Sequence, residues 1–114
     1  MKAVLQIEHS PNLLLDRRSI LEPLGYDVIS VLGLSDAYDR NLLRQPIGVL
    51  VIGHGGSWMD RQALISYFRK ARPNVPIVAL LGRRDIEFSD ADYNCPGDNP
   101  PLWIRTVAHA LAGQ

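Results

Sequence analysis

Two short stretches of this chain, Ile47-Gly48-Val49-Leu50-Val51-Ile52 and Ile77-Val78-Ala79-Leu80-Leu81, hold no polar side chain. A strand with one face in water alternates apolar and polar residues. A run that is apolar at every position is covered on both faces, as in the middle of a parallel sheet. Parallel neighbours cannot be joined by a tight hairpin, so helical crossovers must lie between them. The residues between the two runs supply one. From about Asp60 to Arg72, Leu64, Tyr67, Phe68 and Ala71 recur at helical spacing.

The rest of the chain repeats the alternation. Ala3-Val4-Leu5-Gln6-Ile7 reads as a first strand. Ser10 and Pro11 read as the N-cap and first residue of a helix. Its Leu13, Leu14, Ile20, Leu21 and Leu24 face a core, Pro23 loosens the last turn and Gly25 stops it. Tyr26 to Val31 reads as a second strand. Beyond Gly33, Ser35 caps a short helix through Arg44, ended by Pro46. Gly53 to Ser57 form a loop. Ala91 to Asn94 read as a short fifth strand. Pro100 and Pro101 open a last helix with Trp103, Val107, Ala110 and Leu111 inside.

This order predicts one α/β domain over residues 1–114, with a doubly wound parallel sheet of five strands. Twelve basic side chains balance twelve acidic ones, so neither nucleic acid nor an anionic membrane is expected as partner. The single cysteine, Cys95, excludes an intramolecular disulfide and a cysteine-rich zinc module. The opening MKAVLQIEHS is too short and too polar for a signal peptide or a spanning helix, and a cytoplasmic location is expected. Sites in such folds lie beyond the carboxyl ends of the strands. Here that edge would hold Glu8, His9, Gly53, His54, Leu81, Gly82 and Cys95.

Three segments carry a resemblance. Leu50-Val51-Ile52 is followed by Met59-Asp60 after a loop; Pro76-Ile77-Val78-Ala79-Leu80 forms a fourth strand; Tyr93-Asn94-Cys95-Pro96 ends a fifth. Over nearly its whole length the chain resembles the receiver domain of bacterial response regulators. The resemblance implies a flavodoxin-like sheet of strand order 2-1-3-4-5. A receiver binds Mg²⁺ with two adjacent acids after strand one and accepts a phosphoryl group on an aspartate ending strand three. A hydroxyl after strand four and a lysine after strand five hold that group. A hard divalent cation needs carboxylate oxygens, and the transfer needs a carboxylate nucleophile.

The resemblance puts Glu8 at one acid position and His9 at the other. Gly53 falls at the nucleophile position, Leu81 at the hydroxyl position and Cys95 at the lysine position. A slip of one residue would place His54 at the nucleophile position, still without a carboxylate. No catalytic residue, cofactor or enzymatic activity is therefore expected. Between Gly82 and Ala91 only Arg83 to Asp90 remain, so the fourth helix of a receiver is expected to be missing or vestigial.

The remaining polar residues admit alternatives. Glu8, His9, His54 and Cys95 are candidate metal ligands by type, but no close ligand pair anchors them, and no metal is expected. His54-Gly55-Gly56 is either an anion-binding turn or a plain flexible one; it also resembles the oxyanion loop of some esterases, without their G-x-S-x-G. Cys95 is either a redox-responsive thiol or a small half-buried side chain, and its bond to Pro96 is either cis, as often in receivers, or trans. Arg83 and Arg84 either hold an acidic partner or lie in a solvated loop neutralised by Asp85 and Glu87. Trp58 either anchors an interface or covers the empty pocket, whereas Trp103 is read as core.

The expected function is a non-catalytic, phosphorylation-independent receiver-like module. It would act by binding a protein partner in trans in bacterial signal transduction, with homodimerisation left open. The contact surface is expected at Glu8, His9, His54, Gly55, Gly56, Trp58, Arg83 and Arg84. The alternative is a sensor of a metal, anion or small ligand at the same edge. A third reading, ranked lower, is a phosphoacceptor using another acid such as Asp60.

Overall fold

A computed structural model describes residues 3–113. Five parallel strands form one sheet in the order β2-β1-β3-β4-β5: β1 Ala3–Glu8, β2 Val28–Leu32, β3 Ile47–Ile52, β4 Ile77–Leu81 and β5 Tyr93–Pro96. β1 and β3 are buried at every residue. Helices α1 (Pro11–Leu21), α2 (Leu34–Ala37), α3 (Trp58–Ala71) and α4 (Pro100–Ala112) complete the layers. The fold is the doubly wound one expected from the apolar runs, with the flavodoxin-like strand order that the resemblance implies.

Side-chain alternation divides the core into two halves. Leu5, Ile7, Leu50, Ile52, Ile77 and Ala79 pack with Leu64, Ile65 and Phe68 of α3. Val4, Val49, Val51, Val78, Leu80 and Cys95 pack with Leu21 of α1 and with Trp103, Val107 and Ala110 of α4. Successive residues of a strand point to opposite faces, so one strand feeds both halves. Gln6 Nε2 donates to Leu14 O (3.1 Å) and Ser30 Oγ (2.8 Å), tying α1 to the sheet.

Local expectations need several corrections. Ser35 does not cap a helix through Arg44. α2 ends at Ala37, and a separate 3₁₀ turn, Arg40–Arg44, starts from Asp39, whose carboxylate accepts from Asn41 N. α3 starts at Trp58 because Ser57, rather than Asp60, marks its entry: the Ser57 hydroxyl accepts from Asp60 N. Ala71 is exposed at the end of α3. Leu24 is 54% exposed, because α1 gives way to a 3₁₀ turn at Glu22–Leu24 and the helical phase is lost. β2 starts at Val28, and β5 runs from Tyr93 to Pro96, each later than the sequence suggests.

Between β4 and β5 there is no helix among the described residues. The loop there is pinned side chain by side chain. Arg61 of α3 donates to both carboxylate oxygens of Asp85, at 2.9 and 2.8 Å. Phe88, 1% exposed, plugs the core half under α3. Trp58 stacks on Phe88 with ring centroids 4.8 Å apart, and its indole N–H donates to Ile86 O at 3.0 Å. Asn94 of β5 clamps the Phe88 backbone: its Oδ1 accepts from Phe88 N (2.9 Å) and its Nδ2 donates to Phe88 O (3.2 Å). An aromatic plug and fixed polar contacts thus cover apolar sheet that a helix would otherwise bury.

Candidate functional site at the carboxyl edge of the sheet

β1 and β3 are neighbours in register, Ile7 opposite Ile52, and Gly53 N donates to Ile7 O at 2.9 Å. Glu8 and Gly53 therefore end their strands side by side. Glu8 is fully buried, and its carboxylate lies where a side chain at position 53 would begin: a Cβ on Gly53 would overlap both Glu8 oxygens. The acid from β1 occupies the space that the resemblance assigns to the nucleophile of β3.

Arg17 holds that acid in place. It sits on the inward stripe of α1 between Leu14 and Leu21, three residues after one and four before the other, and is 3% exposed. Its Nη1 donates to Glu8 Oε1 at 2.6 Å and also to Oε2, closing a buried ion pair. Its Nη2 donates to His54 Nδ1 at 3.1 Å and to Gly97 O at 3.3 Å. One guanidinium thus bridges β1, the loop after β3 and the loop after β5. Burial pushes the Glu8 carboxyl above its ordinary value; the Arg17 charge and hydrogen bond oppose that, as does the Arg61 charge.

Arginine has donors only, so the Arg17 contact makes His54 Nδ1 an acceptor and puts the ring proton of neutral His54 on Nε2. Burial and the Arg17 charge hold the His54 imidazole below its usual value, with Asp85 and Asp98 pulling the other way. The ring lies between two glycines. A Cβ on Gly97 would strike Nδ1, and one on Gly82 would sit 3.7 Å from the His54 Cβ. Beyond it opens a cleft of about 540 Å³, lined by His54, Leu81, Gly82, Arg83, Pro96 and Asp98.

The other candidates separate. His9 is exposed and packs over Gly55 and Gly56; a Cβ on Gly56, whose φ is +65°, would lie 2.6 Å from its ring. Cys95 points to the α4 side, where its thiol donates to Thr106 Oγ1 at 3.3 Å, and its bond to Pro96 is trans. Glu8, His9, His54 and Cys95 do not converge, because Cys95 faces away from the edge and Glu8 is engaged by Arg17. Among the described residues no group of three His, Cys, Asp or Glu is placed to hold a metal. Trp58 is half-buried on Phe88. Arg83 and Arg84 are exposed, and Asp85 does not neutralise them, since Arg61 takes both its oxygens. The Arg61 hydrogen bond, with Gly82 N–H, holds the Asp85 carboxyl below its ordinary value.

The residues that organise the edge, Arg17, Arg61, Asp85 and Gly97, were absent from the expected set. Two of them left a signal. Arg17 interrupts the stripe Leu14–Leu21, and Arg61 precedes Leu64, Ile65 and Phe68 on theirs. A charge on a buried face demands a buried partner.

No protein-family model matches the chain, and no curated protein matches it. Solved structures do. A CheY-like response regulator receiver domain protein from Methanospirillum hungatei superposes with a TM-score of 0.86 at 18% identity, covering 99% of this chain and 95% of that one. The response regulator TrrA from Thermotoga maritima, crystallised with Mg²⁺-BeF, gives 0.83 at 17% identity over 97% of this chain and 100% of that one. The same regulator in complex with the histidine kinase ThkA gives 0.81 at 17%, over 97% and 99%. No helix among the described residues is long and apolar enough to cross a membrane. The chain has the fold of a response-regulator receiver domain.

Proposed function

We propose that this chain is a receiver-like module that works by binding a protein partner in a signalling pathway and does not accept a phosphoryl group. One observation carries this reading: Gly53 has no side chain, and the Glu8–Arg17 pair fills the space beside it. The residues do not fit Mg²⁺, which needs several oxygen ligands. The carboxylate at this spot, that of Glu8, is bound to a guanidinium, and the adjacent position is the exposed His9. His54 offers no substitute nucleophile, because the lone pair on its unprotonated nitrogen accepts from Arg17. Asp60 stands in the first turn of α3, away from the end of β3. That a similar fold has been crystallised with a histidine kinase supports a protein as partner. Trp58, Arg83 and Arg84, set on the pinned loop and its helix, supply the contact surface together with His9 and His54.

Treatment with Mg²⁺ and a small phosphodonor such as acetyl phosphate tests the chemical half. The intact mass is expected to stay unchanged, and an adduct of one phosphoryl group overturns the reading. The binding half is tested by recovering the tagged chain from its native cells. A specific signalling protein is expected with wild type and not with an Arg83→Glu/Arg84→Glu variant; recovery of the same protein by both removes this surface.

The cleft beside His54 favours a second reading, a sensor of a small ligand or anion. It differs in its prediction that small-molecule binding, and not a protein, shifts the amide signals of Gly82 and Gly97.

A further inference from the structure

His54 has a property separate from phosphoryl chemistry. Among the described residues its ring has one polar partner, the Arg17 guanidinium, at a contact that only the neutral imidazole can make. It also borders open space. Gly97 and Gly82 close on the ring at distances that leave no room for a side chain at position 97, while the cleft of about 540 Å³ stands open in front of it. A carboxylate, Asp98, lines that cleft.

We propose that His54 is a proton-operated latch: neutral, it rests on Arg17 between the two glycines; protonated, it leaves Arg17 and turns into the cleft toward Asp98. Two positions of one side chain, each matched to one charge state, make the element bistable.

The charges facing the ring from each packed element support this division. From α1, Arg17 repels the imidazolium, and from α3 so does Arg61. Glu8 of β1 has no hydrogen bond to the ring; paired with Arg17, it offsets part of the guanidinium charge but leaves the Nη2 donor on His54 in place. In the loop after β4, Asp85 attracts the imidazolium but has both oxygens on Arg61, and Arg83 lines the cleft without a salt bridge among the described residues. From the loop after β5, Asp98 attracts it, lines the cleft and forms no salt bridge among the described residues. His9 packs over Gly55 and Gly56, not over His54. The division rests on geometry: inward, Nδ1 accepts from Arg17 and the ring stays neutral; outward, Asp98 takes the charged ring against the repulsion of Arg83 on the same cleft. Losing His54 also removes one of the three partners of Arg17, so the change reaches the Gly97 carbonyl that Arg17 shares. The inference stands apart from the identity of any protein partner; it names a proton as an input that the edge can read.

Proton and nitrogen NMR of the folded chain, with His9→Gln and His109→Gln to leave one imidazole, tests the latch. His54 is expected to titrate below the ordinary histidine value. At neutral pH it should be protonated on Nε2, and the amide signals of Gly82 and Gly97 should move with the same midpoint. Asp98→Asn should lower that midpoint further by removing the outward partner. Gly97→Ala, which displaces the ring, should raise it toward the ordinary value and uncouple the Gly82 signal. A midpoint at or above the ordinary value, or glycine signals that ignore it, overturns the latch. So does a midpoint that Asp98→Asn leaves in place. Phosphodonor inertness is read by mass alone, so the two ideas fail independently.

Discussion

Arg17→Met is expected to lower the stability of the fold by about 3–5 kcal/mol, because it strands the Glu8 carboxylate in the interior without its counter-charge. The pair is buried on both sides, with side chains 4% and 0% exposed, so solvent cannot take over the role of the guanidinium. The same change removes the donor to His54 and to Gly97 O, leaving the ends of three strands less firmly joined. Denaturant unfolding followed by circular dichroism measures the effect.

The pH dependence has a definite sign. Without Arg17 the carboxyl of Glu8 rises further above its ordinary value, and a carboxyl raised in the folded state stabilises the fold below the ordinary value of 4.5 and loses that contribution as pH climbs through its folded midpoint. The deficit of Arg17→Met should therefore be largest near neutral pH and shrink in acid. Wild type should respond oppositely at two other groups. His54 and Asp85 are both held low, so their contributions are present above about 6.5 and 3.8 respectively and fade as pH falls through the lower folded midpoints. The double variant Glu8→Met/Arg17→Met should recover most of the loss, since an apolar pair of similar volume escapes the desolvation penalty. A single variant as stable as wild type at neutral pH would show that the buried pair does not hold this edge together.

Phe88→Ala is expected to destabilise by about 3–5 kcal/mol, the usual range for removing a buried aromatic side chain. Phe88 is the only residue of the β4–β5 loop in the buried core. Its ring carries Trp58 on one side, and the Arg61 guanidinium lies 5.4 Å from its centroid. Losing it empties the space beneath Trp58 and exposes the Arg61–Asp85 pair to water. Near-UV circular dichroism should lose the signal of the stacked indole, and amide exchange should speed up from Asp85 to Ala91 while β1 and β3 stay protected. If exchange in that segment does not change, the loop is held by its polar contacts and the aromatic plug adds little.

Both variants bear on how far this chain could be read before its structure. The sheet was legible because β3 and β4 are apolar on both faces, and only a layered parallel arrangement buries such runs. The missing helix between β4 and β5 was legible from length alone. The replacement was not: Arg83 to Asp90 reads as a charged loop, and nothing local says that Phe88 turns inward or that Asp85 leaves its arginine neighbours for Arg61 on another element.

The site divides along the same line. The sequence by itself determined that position 53 has no side chain and that position 95, at the end of a short strand, carries a thiol, because these are matters of residue identity. It also held the hint of Arg17 on an apolar stripe. Only the tertiary structure decided that Glu8 enters the space beside Gly53, that Arg17 meets it there, and that Cys95 faces the opposite side from the edge. Strand parity and helix phase fix where each side chain points, but which charges meet depends on the docking of α1 against β1 and β3. Residues far apart in the chain come within hydrogen-bond distance only when the sheet closes, and a one-dimensional pattern carries no such distance.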